Sequence, residues 1–333
     1  MTHTRRTAFT IVELLVVIAI ITILLGLLAS GIGGAITGSK RTKELNRLKG
    51  VMTAWTMYSG QYEDQLLPGF LDTGVQSLWG VRYKNRQGTE LAPELCQTYS
   101  WRLLPYLDFN YEPLLGYRES EEDSVDDSTY FPAVIPVTLP TGLSGAANMN
   151  GSGASLQPAF GYNAFYCGGW WTTQAGAANL TYGDSSFTQG TATVRGRLVA
   201  RTIGGISKPS DFVVFTASTY LNSGTYGPFD DFQPGAAWTV PTRLAATTIW
   251  GFGGVTLEGV DVVSLFSPAV PNPTSDAGKL IVSTDQAIPF ARYGGTVAVG
   301  MGDGSVKSSS MAELSDIRLW IPCANAPDFT HNP

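Results

Sequence analysis

Hydrophobic and polar positions divide the chain into a short amino-terminal part and a long remainder. Residues 14–29 are almost wholly apolar, with Thr22 and Gly26 the only soft positions. Two basic residues, Arg5 and Arg6, precede this run, followed by Phe9 and a lone carboxylate, Glu13. Counted on to Ile36, the run is long enough to cross a bilayer as a helix, which takes about 20 residues at ~1.5 Å each. Beyond Lys40 the apolar positions become periodic. Leu45, Leu48, Met52, Trp55 and Tyr62 fall on one helical stripe. No proline lies between residues 9 and 62, so the spacing predicts one helix over 9–62, hydrophobic over 9–36 and amphipathic over 37–62. Gly26, Gly31, Gly33, Gly34 and Gly38 weaken its middle by up to ~1 kcal/mol each relative to Ala, and local bending or melting is expected there.

After Tyr62 the helical period ends in a Pro68-Gly69 turn. Residues 131–157 are rich in Pro, Gly, Ala, Ser and Asn without periodicity, which predicts a long surface loop or insertion. Residues 160–171 are dense in aromatics and turn residues. Their rings suit either core packing or stacking on sugar. Partial alternation over 193–200 predicts a strand, residues 203–211 a turn, and residues 212–218 a continuous, buried strand. A further strand is expected from Thr296 towards Met301, reversing at the hairpin turn Asp303-Gly304 and returning through Val306. Residues 311–320 read as one or two amphipathic turns, and the tail after Pro322 as frayed. The expected fold class is α+β: a long N-terminal helix, its first half apolar enough to cross a membrane and its second half packed on an antiparallel β-sheet, with a large irregular insertion.

Composition narrows the function. Charged residues are 14% of the chain and glycine reaches 38 residues, as in a loop-rich secreted protein. The net charge of −6 offers no basic footprint, so nucleic acid is not expected as a partner. The basic cluster at residues 40–49 reads as a solvated helix face. Histidine occurs only at His3 and His331, leaving none in the body of the chain for a Ser-His-Asp or Cys-His site or a His-ligated metal. Three cysteines, Cys96, Cys167 and Cys323, permit at most one internal disulfide and leave open whether any forms. The acidic stretch 118–130 places Glu119, Glu121, Glu122, Asp123, Asp126 and Asp127 where they could offer hard oxygen ligands to Ca²⁺, though without EF-hand spacing. A solvated loop is the plainer expectation, and no other cofactor is suggested. Asp303 reads as a turn residue rather than a catalytic acid. No carboxylate pair sits in a recognisable hydrolase motif, so the chain is not expected to be an enzyme.

Glu13 is the chemical oddity. An ionised carboxylate at the edge of an apolar run needs a partner, and the next cation along the chain is Lys40. Thr7-Ala8-Phe9-Thr10-Ile11-Val12-Glu13, behind its basic leader, resembles the class III signal of type IV prepilins and type II secretion pseudopilins. An ordinary secretory signal would have a shorter apolar core followed by a small-residue cleavage site. The resemblance implies a leader at residues 1–8, cleavage between Ala8 and Phe9 by a prepilin peptidase, and N-methylation of Phe9. It also implies that Glu13 neutralises the amino terminus of a neighbouring subunit during assembly. The implied route is a single pass through the inner membrane, leader cytoplasmic, with residues 63–333 as an extracytoplasmic globular domain. Periplasmic or cell-surface display in a helical filament with other pilin or pseudopilin subunits follows. The family usually has Gly where this chain has Ala8, which implies slower processing.

The segment from Tyr99 to Asp108, with its S-W-x-x-L-L-P-Y-L pattern, is similar to one in large pilin-like proteins of planctomycetes and their relatives. So is the closing Gly294-Gly295…Asp303-Gly304 hairpin. The family's usual His is replaced here by Arg292 or Tyr293, and one extra residue lies between Gly295 and Asp303. The implied function is a structural subunit of a type IV pilus or type II secretion filament. The alternative is a filament-displayed or membrane-anchored carbohydrate- or surface-binding protein.

Overall fold

A computed structural model describes residues 11–115, 149, 151–180, 187–189, 192–194, 198–220, 235–239, 287–293, 295–314 and 316–326. Helix α1, Ile11–Gln61, is unbroken through Gly26, Gly31, Gly33, Gly34 and Gly38, so the expected melting of its middle does not occur in the single chain. Each internal peptide keeps its i→i−4 hydrogen bond, and this outweighs the modest propensity cost of glycine. The helix stops where Glu63 and Asp64 adopt positive φ, 51° and 62°.

The main sheet has the order β10–β9–β7–β2, formed by Phe160–Tyr162 (β2), Val213–Tyr220 (β7), Val297–Met301 (β9) and Val306–Ser309 (β10). Ala287–Pro289 (β8) pairs with the far end of β7, and every pairing in this sheet is antiparallel. The described β-rich run V-V-F-T-A-S in β7 is buried throughout, as its lack of alternation requires for a strand covered on both faces. The β9–β10 hairpin turns through Gly302, Asp303 and Gly304. Gly304 N–H donates to Met301 O at 2.9 Å, and Gly304 itself sits at φ 81°, where a side chain would be strained. The loop is thus a type I turn closed by a left-handed glycine, one residue longer than a minimal Asp-Gly turn.

A second sheet joins Phe70–Leu71 (β1), Trp170–Gln174 (β3) and Ala177–Leu180 (β4), with β1 parallel to β3. Thr73–Trp79 (α2) lies over it, its N-cap Asp72 accepting from Val75 N–H. Phe187–Gln189 (β5) and Ala192–Val194 (β6) form a separate hairpin. Of the strand expected over 193–200, Thr193 and Val194 lie in β6, residues 195–197 lie outside the described residues, and Ala200 makes an isolated bridge to Cys167. Short helices Ser100–Leu103 (α3), Glu112–Leu115 (α4), Ser152–Leu156 (α5) and Met311–Leu314 (α6) fill the flanks. Helix α5 corrects the surface-loop expectation at residues 151–157; residues 131–148 and 150 lie outside the described residues. The residues of α5 are buried, and Trp101 Nε1 donates to Ser155 Oγ at 2.7 Å. Small residues serve there because the Trp101 indole occupies the adjoining space.

The aromatic segment at 160–171 is mostly core. Phe160, Tyr162, Phe165, Tyr166 and Trp170 are buried, with Trp170 stacked on both Phe165 and Phe70. These rings are not available to stack on sugar, and only Trp171 is partly exposed. Cys96, Cys167 and Cys323 are all free thiols. Burial pushes Cys96 and Cys167 up to about 12 and Cys323 up to about 11. As neutral thiols they are poor nucleophiles.

Candidate functional site: one helix with two surfaces

The first part of α1 presents large apolar side chains to its surroundings. Ile11 is 84% exposed, and Val12, Leu14, Leu15, Ile18, Ile23 and Leu25 are likewise open. Contiguous exposed apolar surface of this extent marks a site that something else covers. Glu13 lies in the first turn of the described helix, among these residues. Among the described residues no helix is long and apolar enough to cross a membrane. The uninterrupted apolar stretch open to that test is residues 11–26, and the side chains of 27–32 lie outside the described residues. Ala8 and Phe9 also lie outside them, as do Glu119, Glu121, Glu122, Asp123, Asp126 and Asp127 and the tail beyond residue 326. Among the described residues no group of His, Cys, Asp and Glu is arranged to hold a metal ion.

From Lys40 onward the same helix is docked. Leu48, Val51, Met52, Ala54 and Trp55 are buried against the sheet, while Leu45 is partly buried. Tyr62 departs from the expected stripe. It is 47% exposed and leans on Tyr58, ring centroids 4.5 Å apart, because the helix ends before it. Gly300 in β9 makes the close approach possible: a Cβ there would lie 2.4 Å from Met52 Sδ. Deeper in, Trp55 Nε1 donates to the Tyr162 hydroxyl at 3.4 Å, and that hydroxyl donates to Leu67 O at 2.9 Å.

The basic cluster is not simply a solvated face. Arg41 Nε donates to Ser308 Oγ at 3.3 Å, Arg47 Nε pairs with Glu112 Oε1 at 2.6 Å, and Lys49 Nζ donates to Gly304 O at 3.0 Å. Lys40 Nζ stands 6.0 Å over the Tyr293 ring. These cations bolt the helix to the hairpin, to α4 and to the strand approach at 290–293.

At the centre of this ring sits a group that no motif announced. Glu44 is 4% exposed, and its Oε1 lies 3.6 Å from Arg292 Nη1, an ion-pair distance rather than a hydrogen bond. Arg292 is held in turn by Ser218 O at 3.0 Å and stands 5.8 Å over the Phe290 ring. Burial raises the Glu44 carboxyl above its ordinary value, against the pull of Arg292, Arg47 and Arg41. Arg292 thus faces the helix from the strand approach.

Two other buried polar residues escaped sequence reasoning. Asn163 Nδ2 donates to Val213 O and Trp320 O, clipping the C-terminal segment to β7. Arg102, 2% exposed, donates to Gln97 O at 2.7 Å and Pro68 O at 3.3 Å. Asp303 marks the hairpin tip. Hydrogen bonds from Ser305 hold its carboxyl below the ordinary value, and its position is exposed, as suits a turn residue.

Comparison with known proteins adds a decisive match at the amino terminus. Residues 3–29 match the model of the prokaryotic N-terminal methylation motif. No curated protein and no solved structure matches the chain. The motif indicates a structural protein, one that is anchored in a membrane before joining a filament. It implies processing by a prepilin peptidase and assembly with other pilins. This motif, carried on a helix-and-sheet α+β fold, supports a type IV pilin-like or pseudopilin-like precursor.

Proposed function

We propose that this protein is a structural subunit of a type IV pilus or a type II secretion filament, without enzymatic activity. One observation carries this: the methylation motif runs into a helix whose first half is exposed and apolar and whose second half is locked into a folded head. The leader, residues 1–8, is removed between Ala8 and Phe9, and the new Phe9 amine is methylated. The mature chain waits in the inner membrane with its head, residues 63–333, outside. It then leaves the bilayer as its apolar half packs among the same halves of neighbouring copies. Glu13 pairs with the Phe9 amine of an adjacent subunit. In that dry setting a subunit out of register leaves a buried charge unpaired, a cost of several kcal/mol.

The test is the mass of the mature amino-terminal peptide from protein made in its own host, alongside sheared filament fractions. The expected product begins at N-methylated Phe9 and is present in the sheared fraction. A chain still bearing its leader, or one beginning near Ser30, overturns the proposal.

A further inference from the structure

We propose that the cleft between α2 and the 82–91 hairpin binds one residue of a neutral polysaccharide. The cleft measures about 130 Å³ and is walled by Thr73, Gln76, Ser77, Arg82, Tyr83 and Glu90. Thr73, Gln76, Ser77 and Gly80 recur at helical spacing, so α2 turns a single face of hydroxyls, amide and bare backbone into it. The opposite wall is a hairpin closed by Leu91 N–H to Tyr83 O at 2.9 Å and Asn85 N–H to Thr89 O at 3.0 Å.

The walls are held before any ligand arrives. The Gln76 amide nitrogen donates to Leu71 O at 3.1 Å and Pro93 O at 2.9 Å. The half-buried Tyr83 ring lies 5.8 Å from the guanidinium of Arg102, which is itself fixed by three carbonyls. Burial raises the Tyr83 hydroxyl, so it stays a neutral donor and acceptor. Preorganised walls lower the ordering cost of binding.

The chemistry of the lining selects the ligand class. Arg82 and Glu90 form an exposed ion pair on the hairpin wall, so their charges cancel and neither an anion nor a cation gains net attraction. The lining offers one aromatic ring, the hydroxyls of Thr73, Ser77 and Tyr83, and the paired carboxylate and guanidinium. A sugar ring offers the complement, an apolar face for the aromatic and hydroxyls that both donate and accept. The cleft is small, with room for a single ring and not for a folded partner. Leu78, 51% exposed, and Trp79, 43% exposed, lie on other faces of the same helix and do not line the cleft. Trp79 is set edge-on to Trp171, ring centroids 5.1 Å apart. No residue of α1 lines the cleft, so copies joined through α1 leave it open. A larger groove, about 270 Å³, lies between residues 206–212 and 316–324, but its one aromatic lining residue, Phe212, is buried and offers no ring to a ligand.

This binding does not rest on filament assembly, and a chain that fails to be processed still carries the cleft. The experiment uses the full mature chain in a sugar-free zwitterionic detergent. It is titrated calorimetrically with cello-, xylo-, manno- and chitotetraose, and contacts are mapped by saturation-transfer NMR. At least one tetrasaccharide is expected to bind. Glu90→Ala, an exposed change that spares the fold, and Tyr83→Ala, checked by its melt, are each expected to weaken binding by roughly tenfold or more. Lys208→Ala, in the larger groove, is expected to leave it unchanged. No binding by any of the four at about 10 mM overturns the proposal, as does binding indifferent to Glu90→Ala or lost with Lys208→Ala.

Discussion

The two halves of α1 share one backbone and differ in what their side chains meet. Between Ile11 and Leu25 every described large apolar residue is exposed. Between Leu48 and Trp55 the apolar stripe is buried on one side, and Arg41, Arg47 and Lys49 of the same half reach β10, α4 and the hairpin turn. Apolar content alone does not decide which half folds with the head. The difference is spacing: the docked half has apolar residues on one stripe, while the first half is apolar on all sides and can satisfy itself only in lipid or among its own kind. The proposed function gives the first half to assembly, while the second fixes the helix to its head.

If that division holds, substitutions in the two halves have opposite signatures. The largest separation is expected from Glu13→Val. The head should melt unchanged and the leader should still be cut, yet the subunit should be almost absent from sheared filaments, since breaking one partner of a buried pair costs about 3–5 kcal/mol. Immunoblots of sheared and cell-bound fractions read this directly. Normal incorporation would remove Glu13 from assembly. Trp55→Ala is the mirror image. It deletes a fully buried ring and the donor to Tyr162, so the head should lose about 3–5 kcal/mol in a denaturant melt. Ile18→Ala, in the exposed half, should leave that melt within about 0.5 kcal/mol of the parent.

The sequence disclosed whatever is local. The apolar run, the docking stripe, the continuous strand β7 and the Asp303-Gly304 reversal each announce themselves within about a dozen residues. The small sheet was hidden because β1 is two residues long and pairs in parallel with β3, a hundred positions later. Its register is set by Asp72, which caps α2 and also accepts from Thr173 Oγ1 at 2.8 Å, a tertiary link without a local pattern. Helix α5 was hidden because Gly, Ser and Ala suggest a loop unless an indole beside them requires small residues. The Glu44–Arg292 pair was unreadable for the same reason: a charged residue on an amphipathic helix reads as solvent-facing until its distant partner is known.

That pair supplies a subtler test of the docked half. The Glu44 carboxyl is raised in the folded protein, so folding favours its protonated form. Its contribution is therefore full below the unfolded value and is lost as pH rises through the folded value. Glu44→Gln imitates the protonated side chain at every pH. The two proteins should melt alike near about pH 4, and the variant should gain on the parent as pH rises above that. A variant that falls behind the parent with rising pH would mean that attraction to Arg292, Arg47 and Arg41 outweighs burial, and that the ionised pair holds the helix down.

The smallest expected effect separates the halves through glycine alone. A Cβ at Gly33 or Gly34 meets nothing within 4 Å, whereas at Gly300 it would press on Met52 Sδ at 2.4 Å. Gly33→Ala with Gly34→Ala should raise helix content in micelles by the ordinary propensity gain, roughly 0.5–1 kcal/mol per site, with the head melt unmoved. Gly300→Ala should lower the head melt instead. The thioether can swing aside, but it leaves a well-filled contact, at a cost of about 1–3 kcal/mol. If the paired alanines in the first half also impair incorporation into filaments, the glycines are there for close approach of neighbouring helices, since in the isolated chain nothing else requires them. If incorporation is unchanged, that surface is covered by larger side chains alone, and the glycines at 33 and 34 serve neither the head nor the filament.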